Sequence, residues 1–444
     1  MREFMSDSSQ AIVRPACSIQ GLVRIPGDKS ISHRYAMLAA IAQGTSRFHN
    51  FSAARDCLST LDCMRQLGAQ WRSEDGPNQD GAIEVTGIGP ALKAPTAALD
   101  CGNSGSTIRM LSGIVAGQPF TTELFGDESL SRRPMARIMK PLSEMGATIT
   151  ASEGGRPPLK IRGDKLRAIH YKPEVASAQV KTCVLFAGLF ANGETILEEP
   201  IRTRDHGELA LQAFGVEVEQ KKTDRGGHIA SIRGGQPLHA IEAHVPGDLS
   251  SAAFFLCAAA LFPGSHISLP GILMNPTRAR LLDILTQMGL KLSVGHIEQH
   301  HGEIIGTIEA RGEKWLGGVI AGADTAALID EIPVLAAVAP YSENGLEVRD
   351  GKELRVKESD RIAAVATNLR KMGVEVEERP DGLRIPGRQA LHGAELDSFA
   401  DHRIAMAFAV AALRADGETL IQGADAAGVS YPSFFHDLSS LAQR

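Results

Sequence analysis

The chain has 444 residues, 43% of them hydrophobic and 22% charged, with a formal net charge of −6 and 5% aromatic residues. That length exceeds one ordinary core and predicts two domains. The negative balance and the scarcity of aromatic rings exclude a surface that grips nucleic acid through its phosphates and stacked bases.

Taken in chain order, residues 1–14 mix both signs of charge without an apolar segment, and so read as neither a signal nor a transit peptide. A strand is expected at residues 18–25. It leads into Ile25-Pro26-Gly27-Asp28 and a buried helix over residues 32–43, rich in small apolar side chains. Helices of that kind recur at residues 106–116, 178–191, 250–261, 327–338 and 402–413. Between them run helices of a second kind, which end in an apolar residue followed by glycine: Leu67-Gly68, Met145-Gly146, Phe214-Gly215, Met288-Gly289 and Met372-Gly373. Glycine is what a left-handed helix C-terminus requires. A sixth helix of the second kind spans residues 434–441, and the chain ends before a following strand; residues 18–25 are expected to supply it.

The period of about 75 residues is too long for a solenoid and predicts a compact βαβαββ-like unit used repeatedly. The echo of Ile25-Pro26-Gly27-Asp28 in Val245-Pro246-Gly247-Asp248 divides the units three and three. Residues 28–245 are therefore expected to form one lobe, and residues 1–27 with 246–444 the other, with hinge crossings near 25–28 and 245–248. Cys17, Cys57, Cys63, Cys101, Cys183 and Cys257 are scattered, with no CxxC pair and no His at metal-ligand spacing. Reduced thiols in a cytoplasmic protein are expected. The longest apolar run, residues 252–263, is too short to span a membrane.

Polar and charged residues cluster where the oily helices begin. The entries read Asp28-Lys29-Ser30-Ile31-Ser32-His33-Arg34, Gly102-Asn103-Ser104-Gly105-Ser106-Thr107-Ile108-Arg109, Ser177-Ala178-Gln179-Val180-Lys181, Gly247-Asp248-Leu249-Ser250-Ser251, Asp330-Glu331 and Asp401-His402-Arg403. Capping of helix N–H groups explains Ser177, Ser250 and Asp401. It does not explain Lys29, Arg34, Arg109, Lys181 and Arg403, because cations there oppose the helix dipole by some tenths of a kcal/mol each unless an anion is bound. The helix that starts within residues 354–372 adds Lys357, Glu358, Asp360 and Arg361 ahead of Ile362, Val365, Leu369 and Met372 at helical spacing. A Lys and an Arg beside a carboxylate suit a site where an anion is bound and a proton moved. The loop Gly126-Asp127-Glu128-Ser129-Leu130-Ser131-Arg132-Arg133-Pro134 puts Arg133 just before a proline able to occupy a first helical turn. A turn is the simpler reading of that loop and of Gly102 to Thr107, which is neither a Walker loop nor a dinucleotide fingerprint.

These motifs, with Arg355-Val356-Lys357-Glu358-Ser359-Asp360-Arg361, resemble in order and over the whole chain those of the 5-enolpyruvylshikimate-3-phosphate synthase family, the 3-phosphoshikimate 1-carboxyvinyltransferases. The resemblance implies an α/β fold of two lobes, each an inside-out α/β barrel of three βαβαββ units with buried helices. It implies transfer of the enolpyruvyl group of phosphoenolpyruvate to the 5-hydroxyl of shikimate 3-phosphate, with release of phosphate through a tetrahedral intermediate. No metal or organic cofactor is implied, the partners are these two small molecules, and a monomer is expected. Arg133, Arg361 and Arg403 then match the phosphoenolpyruvate ligands, with Lys29 reaching both substrates. Ser30, Arg34, Ser177, Gln179, Arg204 and Lys357 match the shikimate 3-phosphate side, and Asn103, Gly105, Ala178 and His402 join the binding set. Asp330 corresponds to the group that takes the 5-hydroxyl proton. Glu358 corresponds to the group that protonates the methylene carbon and later deprotonates the methyl, and Lys29 competes for acid-base work. Guanidinium forks suit such a task, since phosphates and carboxylates must be gathered against their repulsion.

Two departures from a common form of the family stand out: Val429 in Gly428-Val429-Ser430-Tyr431-Pro432 where many members carry a Lys, and Arg204-Asp205-His206 where others use a Tyr. Gly105, which is Ala in glyphosate-tolerant members, implies sensitivity to that inhibitor. The nearest rival is the sister enolpyruvyl transferase acting on UDP-N-acetylglucosamine, but residues 126–134 lack its mobile-loop Cys. An RNA 3′-phosphate cyclase and a non-catalytic anion-binding protein are the alternatives from other classes. His33 reads as a packed histidine, His402 as a hydrogen-bond partner of the enolpyruvyl group, and His300-His301 as surface loop.

Overall fold

Short strands alternating with helices, the pattern repeated along the sequence, assemble into sheets of one recurring order. The computed structural model describes residues 9–74, 82–224 and 226–444, so the reading of residues 1–14 lies in part outside the described residues. By their internal contacts the residues divide into two units. One is Gly27–Val245 with Gln299–Glu303; the other joins the stretch ending at Pro26 to Pro246–Glu298 and Ile304–Arg444.

The Gly27–Val245 unit carries helices α1 (Lys29–Ile41), α2 (Arg55–Gln66), α3 (Gly105–Ala116), α4 (Glu128–Ser131), α5 (Ala136–Met145), α6 (Ala178–Gly188) and α7 (His206–Ala213). Thr121–Phe125 lies parallel to Leu99–Asp100 and antiparallel to Arg156–Arg162, with Thr148–Ser152 outermost. The same order recurs in Glu242–His244, Gln43–His49, Ile83–Ile88 and Gln70–Ser73, and in His170–Tyr171, Glu194–Glu199, His228–Arg233 and Val218–Lys222. A parallel pair needs a crossover, and α3 and α6 provide it in two of the three sheets. Helices α1, α3 and α6 are buried almost all round, and α3 packs on both of the others. A Cβ at Gly113 of α3 would stand 2.1 Å from the Cys183 carbonyl oxygen, so only glycine permits this approach of α3 to α6.

The other unit carries α8 (Leu249–Ala260), α9 (Arg280–Gln287), α10 (Ala323–Ala327), α11 (Ile332–Val338), α12 (Arg361–Lys371), α13 (His402–Ala412) and α14 (Phe434–Leu441). Every residue of α8 is buried, and α8, α11 and α13 pack on one another. Gly318–Ile320, Leu346–Val348, Gly382–Ile385 and Glu377–Arg379 repeat the sheet order already described. Ser18–Leu22 runs parallel to His266–Leu273, which pairs antiparallel with Glu303–Arg311. Among the described residues no helix is long and apolar enough to cross a membrane.

All five glycines expected to close helices do so. Gly68, Gly146, Gly215, Gly289 and Gly373 have φ between +86° and +112°. In each case the glycine N–H bonds the carbonyl three residues back, and the next N–H bonds the one five back. This is the bond pattern that satisfies the last carbonyls of a helix while turning the chain away.

Three expectations about elements need correction. The last sheet is completed by Gln10–Val13, antiparallel to Thr419–Gln422, and not by residues 18–25; Ser18–Leu22 instead runs parallel to His266–Leu273, the strand that follows α8. The alternating burial of Gln10–Val13 is a strand signal that the mixed charges of residues 1–14 obscured. A two-residue strand, Ala442–Gln443, does follow α14, and it pairs with Ser18 and Ile19. Finally, the fifth buried helix begins at Ile332, not at 327, because Pro333 has no N–H to continue a helix from upstream and fits only its first turn.

Candidate active site

In the Gly27–Val245 unit the polar residues lie where α1, α3 and α6 begin. Asp28 caps α1 by accepting the Ile31 N–H at 2.9 Å, which leaves Lys29 as the first helical residue; its Nζ bonds Asp56 Oδ2 at 2.9 Å. Arg34, one turn on, is buried. Its Nη1 donates to the Ser30 carbonyl at 2.8 Å, and its Nε and Nη2 donate to Thr182 Oγ1 at 3.2 and 2.8 Å. Burial lowers its pKa to about 10, against the pull of Glu208. Ser104 caps α3, and Asn103 accepts from Arg133 Nη2 at 2.8 Å while donating to Asp127 at 2.7 Å. Arg133 therefore belongs to the same loop cluster as Gly105; Pro134, however, stands ahead of α5, which begins at Ala136. Ser177 caps α6, with Ala178 its first residue, and Gln179 ties α6 to α3 by accepting from Arg109 at 2.9 Å and donating to Ser106 at 3.0 Å. Arg204 is half-buried in the segment before α7. His33 is packed as expected: its Nδ1 lies 2.7 Å from Thr60 Oγ1, and burial holds its pKa well below the usual histidine value.

Lys181 is where this unit departs from the sequence reading. Its place at a helix start implies a cation awaiting an anion, but its ammonium is fully buried between Glu199 (2.9 Å) and Glu208 (2.8 Å). Burial pushes the Glu208 carboxyl up, with Lys181 opposing. Both carboxylates lie farther along the chain, out of reach of helix-start logic. Lys181→Met is expected to cost about 3–5 kcal/mol of stability, because it strands two buried carboxylates together. Urea unfolding checks this, and a loss below about 1 kcal/mol would contradict the charge assignment.

In the other unit the sequence motifs from three stretches meet. Asp330 Oδ1 has Lys357 Nζ at 3.7 Å, Arg361 Nη1 at 3.6 Å and Arg403 Nε at 3.9 Å. Arg403 Nη1 also donates to the Asp330 carbonyl at 2.9 Å. Arg361, first residue of α12 and buried, donates from Nη2 to Glu358 Oε2 at 2.6 Å and from Nε to Asp401 Oδ2 at 2.9 Å. Burial opposes its charge, but Asp401, Glu358 and Asp330 outweigh burial and hold its pKa above the ordinary value. Asp401 caps α13 through the Arg403 N–H, and His402 is buried as the first residue of that helix. Lys357 and Glu358 precede α12 rather than belong to it, with Asp360 as the cap. Three cations (Lys357, Arg361, Arg403) and three carboxylates (Asp330, Glu358, Asp401) thus share one small region, an arrangement able to hold an anion and move a proton.

Ser250, expected as a cap, does something else. Asp248 caps α8, and the Ser250 hydroxyl donates to Glu331 while accepting from Arg278 Nη2 at 2.5 Å. Arg278, Asp56, Glu199 and Glu208 were not singled out from the sequence; each is a charge whose role follows only from its partner across the fold.

The same motifs match a family model, EPSP synthase (3-phosphoshikimate 1-carboxyvinyltransferase), over residues 13–438. The chain belongs to that family. It is 59% identical to the 3-phosphoshikimate 1-carboxyvinyltransferase of Koribacter versatilis (strain Ellin345), over 97% of this chain and 99% of the relative. It is 56% identical to that of Solibacter usitatus (strain Ellin6076), over 97% and 99%. Among solved structures it resembles the EPSP synthase of Acinetobacter baumannii, with a TM-score of 0.84 at 39% identity over 98% of both chains. The α/β fold is therefore that of an EPSP synthase.

Proposed function

We infer that the chain transfers the enolpyruvyl group of phosphoenolpyruvate to the 5-hydroxyl of shikimate 3-phosphate, releasing phosphate, as a transferase of the shikimate pathway. The observation that carries this reading is the convergence of Lys357, Arg361 and Arg403 on Asp330, with Glu358 bonded to Arg361, in a member of the EPSP synthase family. The reaction is an addition followed by an elimination. In the first step Asp330 takes the 5-hydroxyl proton as the oxygen bonds to the substituted carbon of phosphoenolpyruvate, and Glu358 gives a proton to the methylene carbon. In the second, Glu358 takes a proton from the resulting methyl and the carbon–phosphate oxygen bond breaks.

The proposed ligands of phosphoenolpyruvate are Arg133, Arg361 and Arg403, with His402 beside them and Lys29 serving both substrates. Those of shikimate 3-phosphate are Ser30, Arg34, Ser177, Ala178, Gln179, Arg204 and Lys357. Guanidinium groups fork onto carboxylate and phosphate oxygens, which supports Arg for the double anion. The finer architecture, an inside-out α/β barrel in each lobe with hinge crossings near 25–28 and 245–248, belongs to the same proposal. So does a cytoplasmic monomer, in keeping with six free cysteines. The UDP-N-acetylglucosamine alternative has less support, since residues 126–134 hold no Cys.

Phosphate release measured with both substrates, and with each omitted in turn, tests the function. Release is expected only when both are present; equal release without shikimate 3-phosphate would overturn it. A further expectation concerns Gly105. A Cβ there would stand 2.7 Å from Arg109 Nη1 and 3.2 Å from Arg133 Nη1, the movable ends of two side chains. Gly105→Ala should therefore fold with stability changed by about 1 kcal/mol or less. It should raise the KM for phosphoenolpyruvate several-fold and reduce glyphosate inhibition more strongly, because it disturbs Arg133. Inhibition titrations of both forms decide, and identical curves would count against Gly105 as part of the site.

A further inference from the structure

Glu199, Thr203, Lys181 and Glu208 have no place in the reaction above, yet they form a buried knot beside residues that do. Lys181 Nζ lies 2.9 Å from Glu199 Oε2 and 2.8 Å from Glu208 Oε1, with all three side chains excluded from solvent. The three sit on different segments: α6, the end of strand Glu194–Glu199, and α7. Glu199 does more than neutralise the lysine. Its carboxylate also accepts the Thr203 hydroxyl at 2.5 Å and the Thr203 N–H at 3.3 Å. The chain from Glu199 to Thr203 is thereby folded back on its own start, and Arg204 is the next residue.

The downstream side of Arg204 is held as well. His206 Nδ1 lies 2.6 Å from Glu303 Oε1, both buried, and Arg202 donates to Asp205 at 2.7 Å. Gly207 packs so closely that a Cβ there would stand 2.7 Å from Thr182 Oγ1, the acceptor of the Arg34 guanidinium. Arg204 thus sits in a short segment tied to α6 on both sides through Lys181, by Glu199 before it and Glu208 after it, with His206 anchored separately to Glu303; α6 has Ser177 as its cap and begins at Ala178 and Gln179. An exposed arginine on a free loop loses much of its binding energy to ordering; one held in place does not.

We propose that Glu199 and Thr203, locked by Lys181 and Glu208, are positioning residues that hold Arg204 and the start of α6 in register for the phosphate of shikimate 3-phosphate. They touch no substrate themselves. The inference rests on the assignment of Arg204 to shikimate 3-phosphate made above. Its signature is selectivity between substrates, since the proposed phosphoenolpyruvate ligands make none of these contacts.

The test uses the full chain with Thr203→Val, Thr203→Ser, Glu199→Gln and Arg204→Ala, and measures kcat and the KM of each substrate. Thr203→Val keeps the shape and removes one donor at a half-buried position. It is expected to raise the KM for shikimate 3-phosphate about tenfold while kcat and the KM for phosphoenolpyruvate stay within about twofold. Thr203→Ser restores the donor and should return the KM to within about twofold of the parent. Glu199→Gln carries the same expectation as Thr203→Val and replaces it should that variant fail to fold. If Arg204→Ala raises the KM for shikimate 3-phosphate and neither Thr203→Val nor Glu199→Gln does, the positioning role is wrong. If either variant raises both KM values alike, the knot is merely structural and the proposal also fails. If Arg204→Ala leaves the KM for shikimate 3-phosphate unchanged, it is the substrate assignment that falls.

Discussion

Glu358→Gln is expected to lower kcat by about 10²–10⁴ while changing the dissociation constant of either substrate by no more than about threefold. Glu358 stands at the point where Arg361 Nη2 donates to its Oε2 at 2.6 Å. A glutamine has nearly the same shape and keeps a carbonyl oxygen to accept that bond, so Arg361 stays in place and anion binding persists. What disappears is the ability to give up and regain a proton at carbon, which the addition and the elimination each need once. Single-turnover measurement of phosphate release, alongside binding titrations, separates the two effects. Turnover equal to the parent enzyme would remove Glu358 from the proton path.

Arg403→Ala carries the second large effect, a loss of phosphoenolpyruvate affinity of roughly 30-fold or more, corresponding to about 2–5 kcal/mol for a buried charged contact. Two features of its placement argue for this size. Its Nη1 donates to the Asp330 carbonyl at 2.9 Å, which aims a largely buried guanidinium, and it is one of three cations within 4 Å of Asp330 Oδ1. Removing it takes away a proposed anion ligand and loosens the carboxylate beside it, so kcat should fall too. Arg403→Lys should recover only part of the loss, because an ammonium cannot present two parallel donors. Shikimate 3-phosphate should weaken less than phosphoenolpyruvate; the opposite order in paired titrations would reassign the residue.

Much of the candidate site was visible in the letters because its motifs are short and local. Asp401-His402-Arg403 and the residues 357–361 are each contiguous, and each lies at a helix start that capping chemistry marks. The fifth buried helix starts five residues later than its periodicity implies, since the apolar Ala-rich pattern runs through residues 327–338 while Pro333 confines the helix start to Ile332. The last sheet was completed by the wrong strand for a similar reason: a four-residue segment pairs with a partner some four hundred residues away, and nothing local announces that.

The five glycine-closed helices and the polar helix entries were settled by sequence alone, because each depends on the φ angle of one residue or on spacing within one turn. Which of the cations at helix starts is neutralised inside the fold was decided only by the tertiary structure. Lys181 and Lys357 both stand near helix starts, yet one side chain is wholly buried against Glu199 and Glu208 while the other keeps 28% of its surface exposed beside Asp330. A charge acquires its role from desolvation and from the carboxylates that reach it through space, and neither is written in its neighbours along the chain.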